Sequence, residues 1–109
     1  MKIFRVVRES RVFFKSCLPS LVTIQDFDLV IEIGYHQESG TELNLRRLHL
    51  LGIASYATVQ RRIKRLRQLR MIDHTRAPGD GRSVELRLSR EAMRVFARYE
   101  KALAKAIST

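Results

Sequence analysis

Residues 55–88, SYATVQRRIKRLRQLRMIDHTRAPGDGRSVELRL, decide the fold. Ser55 can cap a helix by accepting a bond from a free backbone N–H. Val59, Ile63 and Leu66 then recur at i, i+4 and i+7, which places them on one inward face. The opposite face carries Ala57, Thr58, Arg61, Lys64, Arg65 and Gln68. Six of the ten residues from Arg61 to Arg70 are Lys or Arg. Residues 70–77 have β-compatible content, and Pro78-Gly79-Asp80-Gly81 is a turn cluster. Residues 83–88 alternate, with Val84, Leu86 and Leu88 on one face and Glu85 and Arg87 on the other. The pattern predicts a basic helix docked by apolar residues, followed by a charged hairpin. Such a pair can meet a major groove and the adjacent minor groove together.

Upstream of this stretch the chain is helical. Residues 3–18 read as a helix whose apolar positions (Ile3, Val6, Val7, Phe13, Phe14, Leu18) trace no single narrow stripe, so partners on more than one side are expected. Pro19-Ser20 ends it. Thr23 can cap a second helix, with Asp26 and Asp28 early in it against the helix dipole. There Ile24, Phe27, Ile31 and Tyr35 recur at helical spacing, with Leu29, Val30 and Ile33 widening the face. This predicts a central buried helix ending near residues 38–40, with Phe27 and Tyr35 in the core. A short helix over 44–51 puts Leu45, Leu48 and Leu51 on one side, and Gly52 allows the next turn. Downstream, Ser89 can cap a last helix through about residue 107, anchored by Met93, Phe96, Leu103 and Ile107. The expected fold class is mainly α with a small β-hairpin: a winged helix-turn-helix in the order α-α-α-α-β-wing-β-α. No repeat or linker divides residues 1–109, so a single domain is expected.

Composition narrows the function. A chain of 109 residues with 45% apolar content can bury a core without staples, despite 29% charged residues. The net charge of +10 is unevenly placed. Residues 1–40 hold five basic and five acidic side chains, whereas residues 41–109 hold sixteen basic and six acidic. Basic charge concentrated on a helix and hairpin points to a polyanion, whose condensed counterions Lys and Arg displace. No apolar run is long enough to span a bilayer, and charges interrupt any signal-peptide core at the N-terminus. The lone Cys17 excludes an intrachain disulfide framework and fits a reducing, cytoplasmic setting. Beside Phe14 and Leu18 it reads as a small hydrophobe.

Other chemistries lack support. His36, His49, His74 and Cys17 have no metal-ligand spacing. A phosphate-cradling glycine loop, a nucleophile with a supporting base and a carboxylate pair in a cleft are all missing from the pattern. No enzyme, cofactor or metal is therefore expected, and nothing in the sequence asks for a small-molecule effector. The alternative to DNA is a winged helix serving as a protein- or RNA-interaction module without operator recognition. Sequence-specific RNA readers rely on exposed aromatics, and of those here only Tyr56 is well placed.

The chain also resembles the MarR family of bacterial winged-helix transcription regulators. The residues that carry the resemblance are Ser55-x-x-Thr58-Val59-x-Arg61, Leu66, Ile72, Asp80-x-Arg82-Ser83 and Leu88-Ser89-x-Glu91, within a span from Thr23 to Leu103. The resemblance implies a recognition helix starting at Ser55, with Tyr56, Ala57, Thr58 and Arg61 nearest the bases. Arg61 is suited to a bidentate pair with guanine. Arg82 would enter the minor groove, with Asp80 orienting it. Lys64, Arg65 and Arg76 would meet phosphates, and Gln68 shares their face. The family binds double-stranded DNA as dimers, so residues 3–18 and 89–107 are the expected homodimer elements. The chain departs from the family in three places: Arg70 stands where a Gly is usual, His49 where a small residue is common, and the paired C-terminal helices are reduced to one.

Overall fold

The computed structural model describes residues 2–41, 43–76 and 84–108. Helix α1 spans Ile3–Cys17, α2 Ile24–Glu38, α3 Leu45–Leu50 and α4 Tyr56–Gln68. Strands β1 (Ile72–Arg76) and β2 (Val84–Leu88) follow, then α5 (Arg90–Ser108). This is a mainly helical winged helix with a two-stranded antiparallel hairpin. The turn cluster at 78–81 and Arg82 lie outside the described residues.

Side chains set the helix starts. The Thr23 hydroxyl accepts the Asp26 N–H at 3.1 Å while the Asp26 carboxylate accepts the Thr23 N–H at 3.2 Å, a reciprocal capping box. Asn44, Ser55 and Ser89 each accept a backbone N–H three residues on, from Arg47, Thr58 and Ala92. The end of α4 is closed differently. The Met71 N–H bonds the Leu66 carbonyl and the Arg70 N–H bonds that of Arg67, which is the Schellman arrangement. It forces the residue just past the C-cap Leu69 into the left-handed region, and Arg70 occupies that position at φ 59°. The helix therefore stops at the usual place without the usual glycine.

One cluster forms the core. Leu29, Val30 and Ile33 of α2 meet Leu48 of α3, the Val59, Ile63 and Leu66 face of α4, and Ile72, Leu86 and Leu88 of the hairpin. Removing each such side chain from water contributes about 1.5–3 kcal/mol. Pairing in the hairpin runs from Ile72 opposite Leu88 to Arg76 opposite Val84. The other edge of β2 is also engaged: the Leu86 N–H donates to the Leu43 carbonyl at 2.7 Å and the Leu88 N–H to Gln37 Oε1 at 2.8 Å. Gly34 lets α2 come this close, since a Cβ there would stand 3.2 Å from Leu88 Cδ1.

Two expected faces are corrected. In α2 the inward stripe is Asp26, Leu29, Val30 and Ile33, whereas Ile24 is 76% and Tyr35 62% exposed, with Ile31 outward as well. The helix is apolar on several sides, and the buried side chosen is the one with the tighter i, i+3, i+4, i+7 spacing. In α5 the buried positions are Ala92 and Ala106, with Val95, Phe96, Tyr99 and Leu103 half-buried. Met93 and Ile107 are exposed rather than anchors. Leu51, expected inside, is also exposed.

Helix α1 lies antiparallel along α5. The Ser10 hydroxyl and the Tyr99 phenol are 2.7 Å apart, and the Tyr99 ring packs on Phe13 and Phe14 at centroid separations of 5.3 and 4.8 Å. The pair continues past the core to Val6 and Ala106, both buried, and gives the molecule a long axis of 48 Å against 26 and 23 Å. Around its end Ile3, Phe4, Val7 and Ile107 are exposed, Phe4 at 83%. No described helix is long and apolar enough to cross a membrane.

Candidate nucleic-acid interface

Three buried apolar side chains, Val59, Ile63 and Leu66, fix the roll of α4. With those inside, the 3.6-residue repeat turns Ala57, Arg61, Lys64 and Gln68 outward, and all four are exposed. Among the described residues Arg61 and Lys64 have no ion-pair partner. The exposed face of the helix therefore presents, at Arg61 and Lys64, cationic charge that no described carboxylate pairs.

The first turn is more rigidly built. The Ser55 hydroxyl both accepts the Thr58 N–H at 3.3 Å and donates to Thr58 Oγ1 at 3.0 Å. Tyr56 is half exposed, its ring edge-on to His49 at 5.0 Å and its phenol oxygen accepting from the Gln60 amide. His49 thus fills the α3–α4 elbow against Tyr56 instead of opening it. Ser55, Tyr56, Ala57 and Thr58 stand together at the exposed N-terminus of α4.

Arg65 behaves differently from its neighbours. Its guanidinium donates to the Ser20 carbonyl at 2.7 Å and to Asp26 Oδ2 at 3.4 Å. Arg62 approaches the same oxygen at 3.8 Å. Asp26 is fully buried, and Oδ2 also accepts the Val22 N–H at 3.0 Å. Arg65, expected on the outward face, is thus paired within the protein: its partner comes from α2, 39 residues away, where no helical spacing rule reaches. Sequence reasoning placed Asp26 at the start of α2 but missed its pairing with α4, and it gave Arg62 no role. The available signal was Thr23-x-x-Asp26, a capping-box spacing that places a carboxylate at the start of a buried helix.

Arg76 ends β1, opposite Val84. Arg82 and Asp80 fall in the segment outside the described residues. The structure thus leaves Ser55, Tyr56, Ala57, Arg61, Lys64 and Gln68 exposed along α4, with Thr58 half-buried against Ser55 and β1 beside the C-terminal end of the helix.

No family model matches the chain, and no curated protein matches it in sequence. Solved structures do match in architecture. The transcriptional regulator Tm0710 from Thermotoga maritima is 23% identical, with 97% of this chain and 70% of that one aligned at a TM-score of 0.72. MepR of S. aureus, solved in complex with DNA, aligns with 93% of this chain and 71% of its own at 11% identity and a TM-score of 0.73. A mutant MarR from E. coli complexed with operator DNA aligns over 92% and 69% at 14% identity and a TM-score of 0.60. At such identities the likeness shows the fold, which is that of the MarR-type regulators.

Proposed function

We propose that this protein is a double-stranded DNA-binding transcriptional regulator rather than an enzyme, acting on DNA in the cytoplasm. Helix α4 enters the major groove. Ser55, Tyr56, Ala57 and Thr58 approach the base edges, and Arg61 reads a guanine through paired bonds to O6 and N7. Lys64, with Arg76 at the end of β1, serves phosphates, and Gln68 completes that surface. The wing carries Arg82 toward the minor groove. What supports the reading above all is the division of α4 into an apolar buried face and an exposed face whose Arg61 and Lys64 lack ion pairs among the described residues. The related architectures solved with DNA agree with it.

The protein binds as a homodimer through α1 and α5, reading two half-sites about one helical turn, roughly 34–36 Å, apart. Support comes from the apolar side chains exposed around the free end of the α1–α5 pair. Surfaces of this kind are covered by another chain more often than they are left in water.

The test is fluorescence anisotropy with random duplex DNA and with single-stranded RNA at several salt concentrations, then selection of a preferred duplex. Duplex binding with a steep salt slope, and weaker RNA binding, is expected. Arg61→Ala should cost about 1–3 kcal/mol on the selected site and relax preference at one base pair. Unchanged affinity and preference in that variant would refute the docking scheme. No duplex binding at low salt would hand the basic helix to an RNA or protein partner.

A further inference from the structure

A protein with one element in a major groove and another in the adjacent minor groove must straddle the single sugar–phosphate strand that separates the two grooves. In this molecule the gap between those elements is a cleft between α4 and β1. Lys64, Arg67 and Gln68 line it from the helix, and Asp73, His74 and Thr75 from the strand. Buried Ile72 forms the floor. We propose that this cleft seats the phosphodiester strand, with Arg67 and His74 as direct phosphate ligands and His74 taking up a proton on binding. The proposal rests on the reading of the protein as a duplex binder.

Arg67 sits on a flank of α4, away from the face assigned to bases, which is why the sequence pattern leaves it without a role. Among the described residues Lys64, Arg67 and His74 have no ion-pair partner. β1 is also the open edge of the hairpin, because β2 is engaged on its other side by Leu43 and Gln37. Nothing described covers the cleft from that side.

The charges around His74 give the site its signature. Arg67 faces it from α4 together with Lys64, Asp73 is on its own strand, and Leu86 is its partner on β2, where Glu85 lies opposite Thr75. Partial burial, then the Arg67 guanidinium, hold the imidazole below its ordinary value of 6.5, while Asp73 opposes them. The free protein therefore keeps His74 neutral at pH 7. A phosphate placed between Arg67 and His74 screens the guanidinium and stabilises the imidazolium, so the pKa rises in the complex. The equilibrium is protein plus duplex plus H⁺ going to the protonated complex, and affinity must increase as pH falls through this window.

Binding of the intact protein to a random duplex of about 25 base pairs tests this, with salt series at about pH 7.5 and about pH 5.5. Arg67→Gln should flatten the slope of log affinity against log salt by about 0.9, one phosphate contact. His74→Gln should remove the wild-type strengthening at low pH. Asp73→Asn should tighten binding about threefold, the Coulomb effect of a unit charge about 7 Å from a phosphate in water, and a gain cannot arise from misfolding. If wild-type protein binds the duplex but Arg67→Gln keeps its slope and affinity is independent of pH, the cleft assignment is wrong and the duplex reading stands. If wild-type protein fails to bind the duplex, both are overturned.

Discussion

Replacing Asp26 by Ala should lower the stability of the fold by about 3 kcal/mol, and the estimate can be built from its contacts. The carboxylate accepts the Val22 and Thr23 N–H groups and the Arg65 guanidinium, with Arg62 close by. Hydrogen bonds to a charged acceptor contribute about 1.5–3 kcal/mol each when wholly buried. Val22 is exposed, so water can replace part of what is lost, and the two backbone bonds are worth about 2 kcal/mol together. The Arg65 side chain is 35% exposed and can turn toward solvent, which limits its share to about 1 kcal/mol. Urea unfolding followed by circular dichroism would show this as a midpoint shift of about 1.5 M, for a slope of about 2 kcal/mol/M. Asp26→Asn keeps an acceptor for the backbone groups but not the charge, and should recover about half of the loss. A loss below about 1 kcal/mol for Asp26→Ala, or strict additivity with Arg65→Ala in a double-mutant cycle, would refute the reasoning.

Arg70→Gly removes a Cβ from a left-handed residue and should stabilise the protein by about 1 kcal/mol, read as a rise of about 4 °C in Tm; an unchanged or lower Tm would show that the Schellman turn carries no strain. Light scattering should return twice the chain mass of 12.7 kDa, and Phe4→Glu on the exposed end of α1 should shift the population to single chains. A single-chain mass at every concentration in the wild-type protein would remove the homodimer from the proposal.

Where the sequence carries one unambiguous apolar stripe, it is legible. Val59, Ile63 and Leu66 are separated by charged or polar residues, so only one register buries them, and the outward set on α4 follows from it. The caps at Thr23, Ser55 and Ser89 are local chemistry and equally readable. Helix α2 is different. Ile24, Ile31 and Tyr35 compete with Leu29, Val30 and Ile33 for the inside, and the contest is decided by what arrives from elsewhere: Leu88 against Gly34, and Arg65 against Asp26. The same holds for α5, where the small Ala106 is buried beside Val6 of α1 and the small Ala92 is buried in the core cluster. Large apolar Met93 and Ile107 stand outside because no described neighbour covers them.

The arginines of α4 show why charge alone cannot delimit a binding surface. Counted along the chain, Arg61, Arg62, Lys64, Arg65 and Arg67 form one basic run. In three dimensions the helical repeat distributes them. Arg62 and Arg65 lie on the flank facing α2, where buried Asp26 draws both guanidiniums inward. Arg61 and Lys64 lie on the exposed face, and Arg67 lies on the flank facing β1. One carboxylate thus has an effect beyond its stability contribution. By engaging two cations it lowers the number available to the proposed phosphate contacts, and on the α2 side of α4 it adds to the hold that Val59, Ile63 and Leu66 have on the roll of the helix. Asp26→Asn should therefore do two opposite things to DNA binding. The salt slope should steepen by up to about 1.8 as two cations become available, while preference for the selected site falls as the helix loses its tether on the α2 side. A variant that lost affinity without a steeper slope would indicate that Asp26 supports the fold alone and has no part in setting the interface.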